Sequence, residues 1–256
     1  TSGIEDYVGM DGPWDVRRVL GTVPVAADGS AYFSVPANTP IAIQPLDAEG
    51  KAVQLMRSWF TAMPGESVTC VGCHEHANGA PPRAATGMPA GAPEQITPWR
   101  GPVRGFSWDR EVQPVLDKYC VGCHNGQPQS GGAVAIDLRR AEPKSMPLSP
   151  FPFPPSFYEL RRFVRSPGLE GPSVIPVADY HADANPLVQM LRKGHHRVQL
   201  DDEAWDRLVT WIDMNAPAYG TWLEIPTVRN RQQYMQQPTA FFSSGLRPSP
   251  VDEIQH

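Results

Sequence analysis

From residue 107 to about 225 the apolar positions recur at helical spacing. Trp108, Val112, Val115 and Leu116 form one face that runs into Cys120, and Pro114 must lie in the first turn of that helix or bend it. Ser156 and Glu159 have the spacing of a capping box ahead of Leu160, Phe163 and Val164, which predicts a helix over 156–164. Asn185 as cap, Pro186 at the first position and Gly194 past the end frame a third helix. Asp201, then Trp205, Leu208, Val209 and Ile212 at i, i+3, i+4 and i+7, then Pro217, frame the fourth.

The first sixty residues follow a different period. Residues 15–25 are apolar and β-branched, Ala31, Phe33 and Val35 alternate with polar neighbours, Ile41 and Ile43 continue the alternation, and residues 53–59 read as a further strand. Asp28–Gly29 and Glu49–Gly50 mark the turns between them. The pattern predicts an α+β chain: a β-rich, sandwich-like domain over 1–80, a Pro/Gly/Ala linker over 81–106, a helical domain over 107–225 and an irregular tail over 226–256. In the tail only Phe241 and Phe242 stand out, as a pair suited to packing on another surface.

Composition narrows the partners. The net charge of −5 argues against nucleic acid. No apolar run is long enough to span a bilayer, and no charged and apolar leader opens the chain, so a mature chain or a fragment is expected. Proline, at 29 of 256 residues, is about twice its usual ~5%, which predicts ordered loops between the motifs.

All four cysteines lie in two copies of the pentapeptide CVGCH, at 70–74 and 120–124. Two thiols three positions apart can form thioethers to one porphyrin and leave the adjacent imidazole under the iron, so each copy is the attachment signature of c-type haem. Cys70, Cys73 and His74 would serve haem 1, on the β-rich domain; Cys120, Cys123 and His124 would serve haem 2, on a helical domain of cytochrome c-like design. Paired zinc knuckles are spaced about 15 to 20 residues apart, far closer than Cys73 and Cys120, and neither zinc nor dithiol chemistry uses the trailing histidine twice. Covalent haem attachment places the protein in the periplasm or outside the cell.

The sixth ligand decides whether a haem carries electrons or binds a substrate. His195 and His196, directly after Gly194 and ahead of the last helix, are the candidates at haem 2, with His181 as runner-up. At haem 1, His76 is too near His74 to reach the opposite face, and Met63 competes with an open or water-bound iron. The metal ligands expected are therefore His74 and His124, with His195 or His196 on the distal side.

Residues 12–50, 54–75, 110–126 (REVQPVLDKYCVGCHNG) and 193–222 (KGHHRVQLDDEAWDRLVTWIDMNAPAYGTW) resemble the middle and C-terminal haem domains of the hydrazine synthase alpha subunit family, a likeness spanning 8–225. The resemblance implies a β-rich domain with the first haem, a cytochrome c domain with a bis-histidine second haem, and a β-propeller domain or subunit as a partner. In that family a tyrosine four residues after the first CxxCH histidine binds the iron, and the histidine turns to a zinc ion. Here Asn78 stands at that position; without the phenolate His74 is free to be the ordinary proximal ligand, and zinc is a weaker expectation than the two haems. The function expected is electron transfer between the haems and a redox protein or further copies of the chain. The alternative is an oxidoreductase in which an open haem 1 acts on a small nitrogen or oxygen species, as in hydrazine synthase.

Overall fold

The computed structural model describes residues 8–10, 15–56, 58–70, 91–128, 132, 135–146, 149–166 and 175–230. Its regular structure is mostly helical. The helices are α1 (Gln113–Tyr119), α2 (Pro155–Arg161), α3 (Pro186–Arg192) and α4 (Asp202–Asp213), with short 3-10 turns at Ala182–Ala184, His195–Arg197 and Trp222–Glu224. One small antiparallel sheet pairs β1 (Lys144–Met146) with β2 (Ser149–Phe153).

The four predicted helices form, and their termini show which local signals operate. A π-helical turn at Trp108–Val112 leads into α1, and Pro114 lies in the first turn of α1, where its ring nitrogen offers no N–H to the turn before it. Asp201 caps α4, its carboxylate accepting from Ala204 N at 2.8 Å. α3 opens on Pro186 and ends at Gly194, whose φ of 90° is the left-handed conformation glycine adopts without strain. Asn185, however, directs its side chain elsewhere: Oδ1 accepts from Arg165 N at 2.6 Å and Nδ2 donates to Ala182 O at 3.0 Å. The capping box expected at Ser156 and Glu159 does not form either. Pro154 precedes α2 without a side-chain cap, and buried Ser156 donates to Gln113 Oε1 at 2.6 Å while accepting from Trp108 Nε1 at 3.1 Å. A hydroxyl taken out of water must find partners there, and that need outweighs a cap.

The core lies where α4 crosses the segment 108–119. Trp108 meets Trp211 at 5.0 Å between ring centroids and Phe157 at 5.4 Å, both edge-on, and Val112, Leu116, Leu208 and Ile212 continue the same buried cluster. Trp211 Nε1 donates to Pro217 O at 3.0 Å, so the buried indole keeps its hydrogen bond. Buried Glu111 is compensated by Arg104, at 2.7 and 3.0 Å, and by Arg207.

The sandwich expected over 1–80 is absent among the described residues. Isolated bridges hold this part of the chain instead: Arg18 to Gly105, Thr22 to Thr97, Phe33 to Glu94, Ile41 to Phe60 and Leu46 to Ala52. Pro24, Pro36, Pro40 and Pro45 lie in or beside the predicted strands and remove the N–H groups that continuous ladders need. The inward face is thin as well. Ile41, Ala52, Leu55 and Ala62 are its buried apolar side chains between 15 and 70, while Ile43, expected to continue the alternation, is 38% exposed. The stretch 53–59, expected as a strand, carries no ladder among its described residues. Both predicted turns do form, with Gly29 N donating to Ala26 O at 2.9 Å and Gly50 N to Asp47 O at 3.0 Å. Residues 94–105, expected as the end of a linker, supply partners for three of the bridges, and Trp99 Nε1 reaches Asp206 of α4 at 3.0 Å. No helix among the described residues is long and apolar enough to cross a membrane.

Candidate haem-binding site

The second CVGCH continues the wind of α1 as a tight turn. Cys120 N and Val121 N both donate to Leu116 O, at 2.8 and 3.0 Å, and Cys123 N and His124 N both donate to Cys120 O, at 3.1 and 2.8 Å. Two carbonyls thus take four N–H groups, which closes the pentapeptide on itself and carries His124 back toward the chain that follows. Cys120 is half-buried and Cys123 exposed. Burial pushes the Cys120 thiol up to about 11.

His124 is anchored by the returning segment 136–138. Its Nδ1 lies 3.3 Å from Ile136 O, and its own carbonyl accepts from Leu138 N at 2.9 Å. A ring nitrogen that donates to a carbonyl fixes the tautomer, leaving the Nε2 lone pair for a metal. The segment is itself pinned from α1, because Gln113 Nε2 donates to Leu138 O at 2.9 Å.

His195 stands opposite. It follows the left-handed turn at Gly194, and its ring centroid is 5.8 Å from that of His124 with the planes inclined by 27°. The separation is that of an ordinary ring pair, and it is also close to the roughly 6 Å that an iron bound at about 2 Å by one nitrogen of each ring would set. Burial, then the neighbouring His196 and His124, hold His195 below the usual histidine range, so its imidazole is neutral at pH 7, the form that ligates. The residues present therefore fit a bis-imidazole iron.

Other sequence-derived candidates fall elsewhere. His196 is exposed, takes a left-handed conformation at φ 45°, and sets its ring edge-on to His195 at 4.7 Å. His181 has both ring nitrogens engaged, Nε2 at 2.9 Å from Asp47 Oδ2 and Nδ1 accepting from Asp183 N at 3.2 Å. Met63 is 61% exposed, on a turn where its N–H donates to Glu66 at 2.7 Å. Cys70 is exposed; Cys73, His74, His76, Asn78, Phe241, Phe242 and His256 lie outside the described residues.

The supporting partners were not part of the sequence reading. Gln113 could have been suspected, as an amide beside an otherwise apolar helical face. Tyr119 and Lys118, which donate to Asp201 Oδ2 at 2.7 and 2.9 Å, tie the cap of α4 to the residues just before Cys120, and no local signal announces that contact.

Residues 3–75 match the family model described as the hydrazine synthase alpha subunit middle domain. The match takes in the first CVGCH and bears out the resemblance over that stretch. No curated protein and no solved structure matches the chain.

Proposed function

We propose that the chain is a dihaem c-type cytochrome that carries electrons between its two haems and a redox protein or a neighbouring copy of itself, outside the cytoplasm. Cys70, Cys73 and His74 would hold the first haem, and Cys120, Cys123, His124 and His195 would hold the second. One observation carries the reading: His124 and His195, from separate turns, approach to a centroid separation of 5.8 Å, with the first anchored through Nδ1 and the second held neutral. Haem supplies the one-electron chemistry of its iron. The chain's own part is to fix the His124 tautomer on Ile136 O and present His195 from the opposite side, which leaves no position there for a substrate. That α1 ends in CVGCH and is crossed by α4 supports a cytochrome c-like design for the helical half. The family match through residue 75 supports a first haem borne on the preceding module. Asn78, where the resembled family has tyrosine, argues against transferring that family's first-haem chemistry.

The test is a haem count joined to carbon monoxide binding on the holoprotein. Pyridine haemochrome analysis is expected to give two c-type haems per chain, falling to one in a Cys120→Ala/Cys123→Ala variant and to one in a Cys70→Ala/Cys73→Ala variant. Reduced protein is expected to take up carbon monoxide at the second haem only slowly, at the rate at which His195 dissociates. A chain that matures with zinc and no haem overturns the reading. Stoichiometric carbon monoxide at the first haem would replace the pure carrier with an enzyme open at that iron.

A further inference from the structure

Between the N-terminal module and the helices lies a ring of alternating charge. Lys51, whose side chain is 4% exposed, bonds Glu49 Oε2 and lies 2.9 Å from Asp183 Oδ2. Arg192 reaches the same two carboxylates, Glu49 Oε2 at 2.7 Å and Asp183 Oδ2 at 3.3 Å. Each carboxylate is shared by both cations, and each cation by both carboxylates. The turn that presents Glu49 and Lys51 is braced by Asp47, whose Oδ1 accepts from Glu49 N and Lys51 N, both at 2.9 Å. The other oxygen of Asp47 holds His181, just ahead of Asp183.

What the ring grips is the end of α3. Arg192 is the last residue of that helix; Lys193, Gly194 and His195 follow. A seven-residue helix has little stability of its own, and beyond Gly194 both His196 and Arg197 have positive φ, at 45° and 64°, which L side chains adopt at a cost. Such a loop keeps its shape only if both ends are held. The far end is held by Asp201 on Tyr119 and Lys118, inside the helical half; the near end is held by residues of the other module.

We propose that Glu49 and Lys51 are positioning residues for His195: through Arg192 and Asp183 the first module fixes the end of α3, and with it the distal ligand of the second haem. The inference rests on the reading of His195 as that ligand. It makes the two haem-bearing halves interdependent, since the second iron is fully closed only when the turn at 47–51 is docked. Glu49 is 62% and Arg192 44% exposed at the side chain, so this arm of the ring is open to salt, whereas Lys51 is shielded.

The experiment is carbon monoxide capture by the reduced holoprotein, in which the ligand enters the second haem only when His195 lets go. Glu49→Gln is expected to raise the capture rate about fivefold, the upper range for a partly exposed ion pair, with Glu49→Arg raising it further. About 1 M salt is expected to raise the rate in the wild type and to add little in Glu49→Gln. Asp179→Asn, which breaks the separate Arg165–Asp179 pair, is expected to change nothing. His195→Ala separates the two claims. A His195→Ala protein whose second haem stays six-coordinate and closed removes the ligand reading and this inference with it. A His195→Ala protein that opens, beside Glu49→Gln, Glu49→Arg and Lys51→Met proteins that capture at the wild-type rate, overturns the positioning role alone. A lower melting temperature in Lys51→Met with an unchanged capture rate likewise marks the ring as structural only and overturns the proposal.

Discussion

The imidazoles of His124 and His195 face each other at 5.8 Å between centroids, one carried on the turn that ends α1 and the other on the left-handed turn that ends α3. Neither helix alone determines this pairing. It depends on Ile136 behind the first ring and on Arg192 and Asp201 at the two ends of the loop that bears the second.

The adjacent histidines are expected to differ in effect. His195→Ala should convert the second haem from low-spin and closed to a form that binds carbon monoxide, read by electron paramagnetic resonance and by the reduced absorption spectrum. His196→Ala should leave the ligation unchanged, because its ring is exposed and edge-on to His195. His181→Ala should also leave it unchanged while costing about 1–2 kcal/mol, since Asp47 and Asp183 N lose their partner. The reverse ranking of His195 and His196 would reassign the ligand.

Gln113 links the core to the proximal histidine. Its Oε1 accepts from Ser156 and Trp108, and its Nε2 donates to Leu138 O. Gln113→Leu is expected to cost about 2–3 kcal/mol in urea denaturation, because it strands buried polar partners. Because the 136–138 segment holds Nδ1 of His124, the second haem's potential should shift as well. An unchanged potential would separate core stability from ligand anchoring.

Asp213 gives a pH dependence of definite sign. Burial is the main cause that pushes its carboxyl up to about 7; Oδ2 accepts from Ala52 N at 2.9 Å, while Oδ1 is buried without a hydrogen-bond partner. Its place at the C-terminal end of α4 adds to the cost of ionising it, and Asp47 raises it further while His181 and Lys51 oppose. The folded chain keeps this proton when the unfolded chain has lost it. The contribution is therefore fully present below about pH 4 and declines as pH rises to about 7, by on the order of 4 kcal/mol. Urea midpoints between pH 4 and 8 should fall in the wild type, and Asp213→Asn should flatten the part of that slope that belongs to this group.

Gly105 and Gly220 lie back to back where the chain enters and leaves the helical half. A Cβ on Gly105 would sit 2.1 Å from Gly220 O, and one on Gly220 would sit 2.7 Å from Gly105 C. Backbone on backbone cannot yield as a flexible side chain can. Gly105→Ala is expected to cost about 3 kcal/mol or more by displacing the segment ahead of Trp108, and thermal denaturation that matches the wild type would show that the crossing can open.

The residues that speak locally determined a good deal by themselves. The apolar spacing of Trp205, Leu208, Val209 and Ile212, the caps Asp201 and Gly194, and the turns at Gly29 and Gly50 all act over a few residues, and each forms or sits as its pattern predicts. The sandwich failed because alternation reports which faces are apolar and not whether the backbone can pair; Pro24, Pro36, Pro40 and Pro45 withhold the N–H groups, and too few side chains are buried to close two sheets. Ser156 failed as a cap, and Asn185 holds the N-cap position of α3 without capping through its side chain, because distant partners, Gln113 and Arg165, compete for the same atoms. His195 and His196 are chemically equivalent as letters in a row. Only the tertiary structure distinguishes them, because a left-handed turn sends adjacent side chains in different directions, and contacts far along the chain set the end of that turn opposite His124.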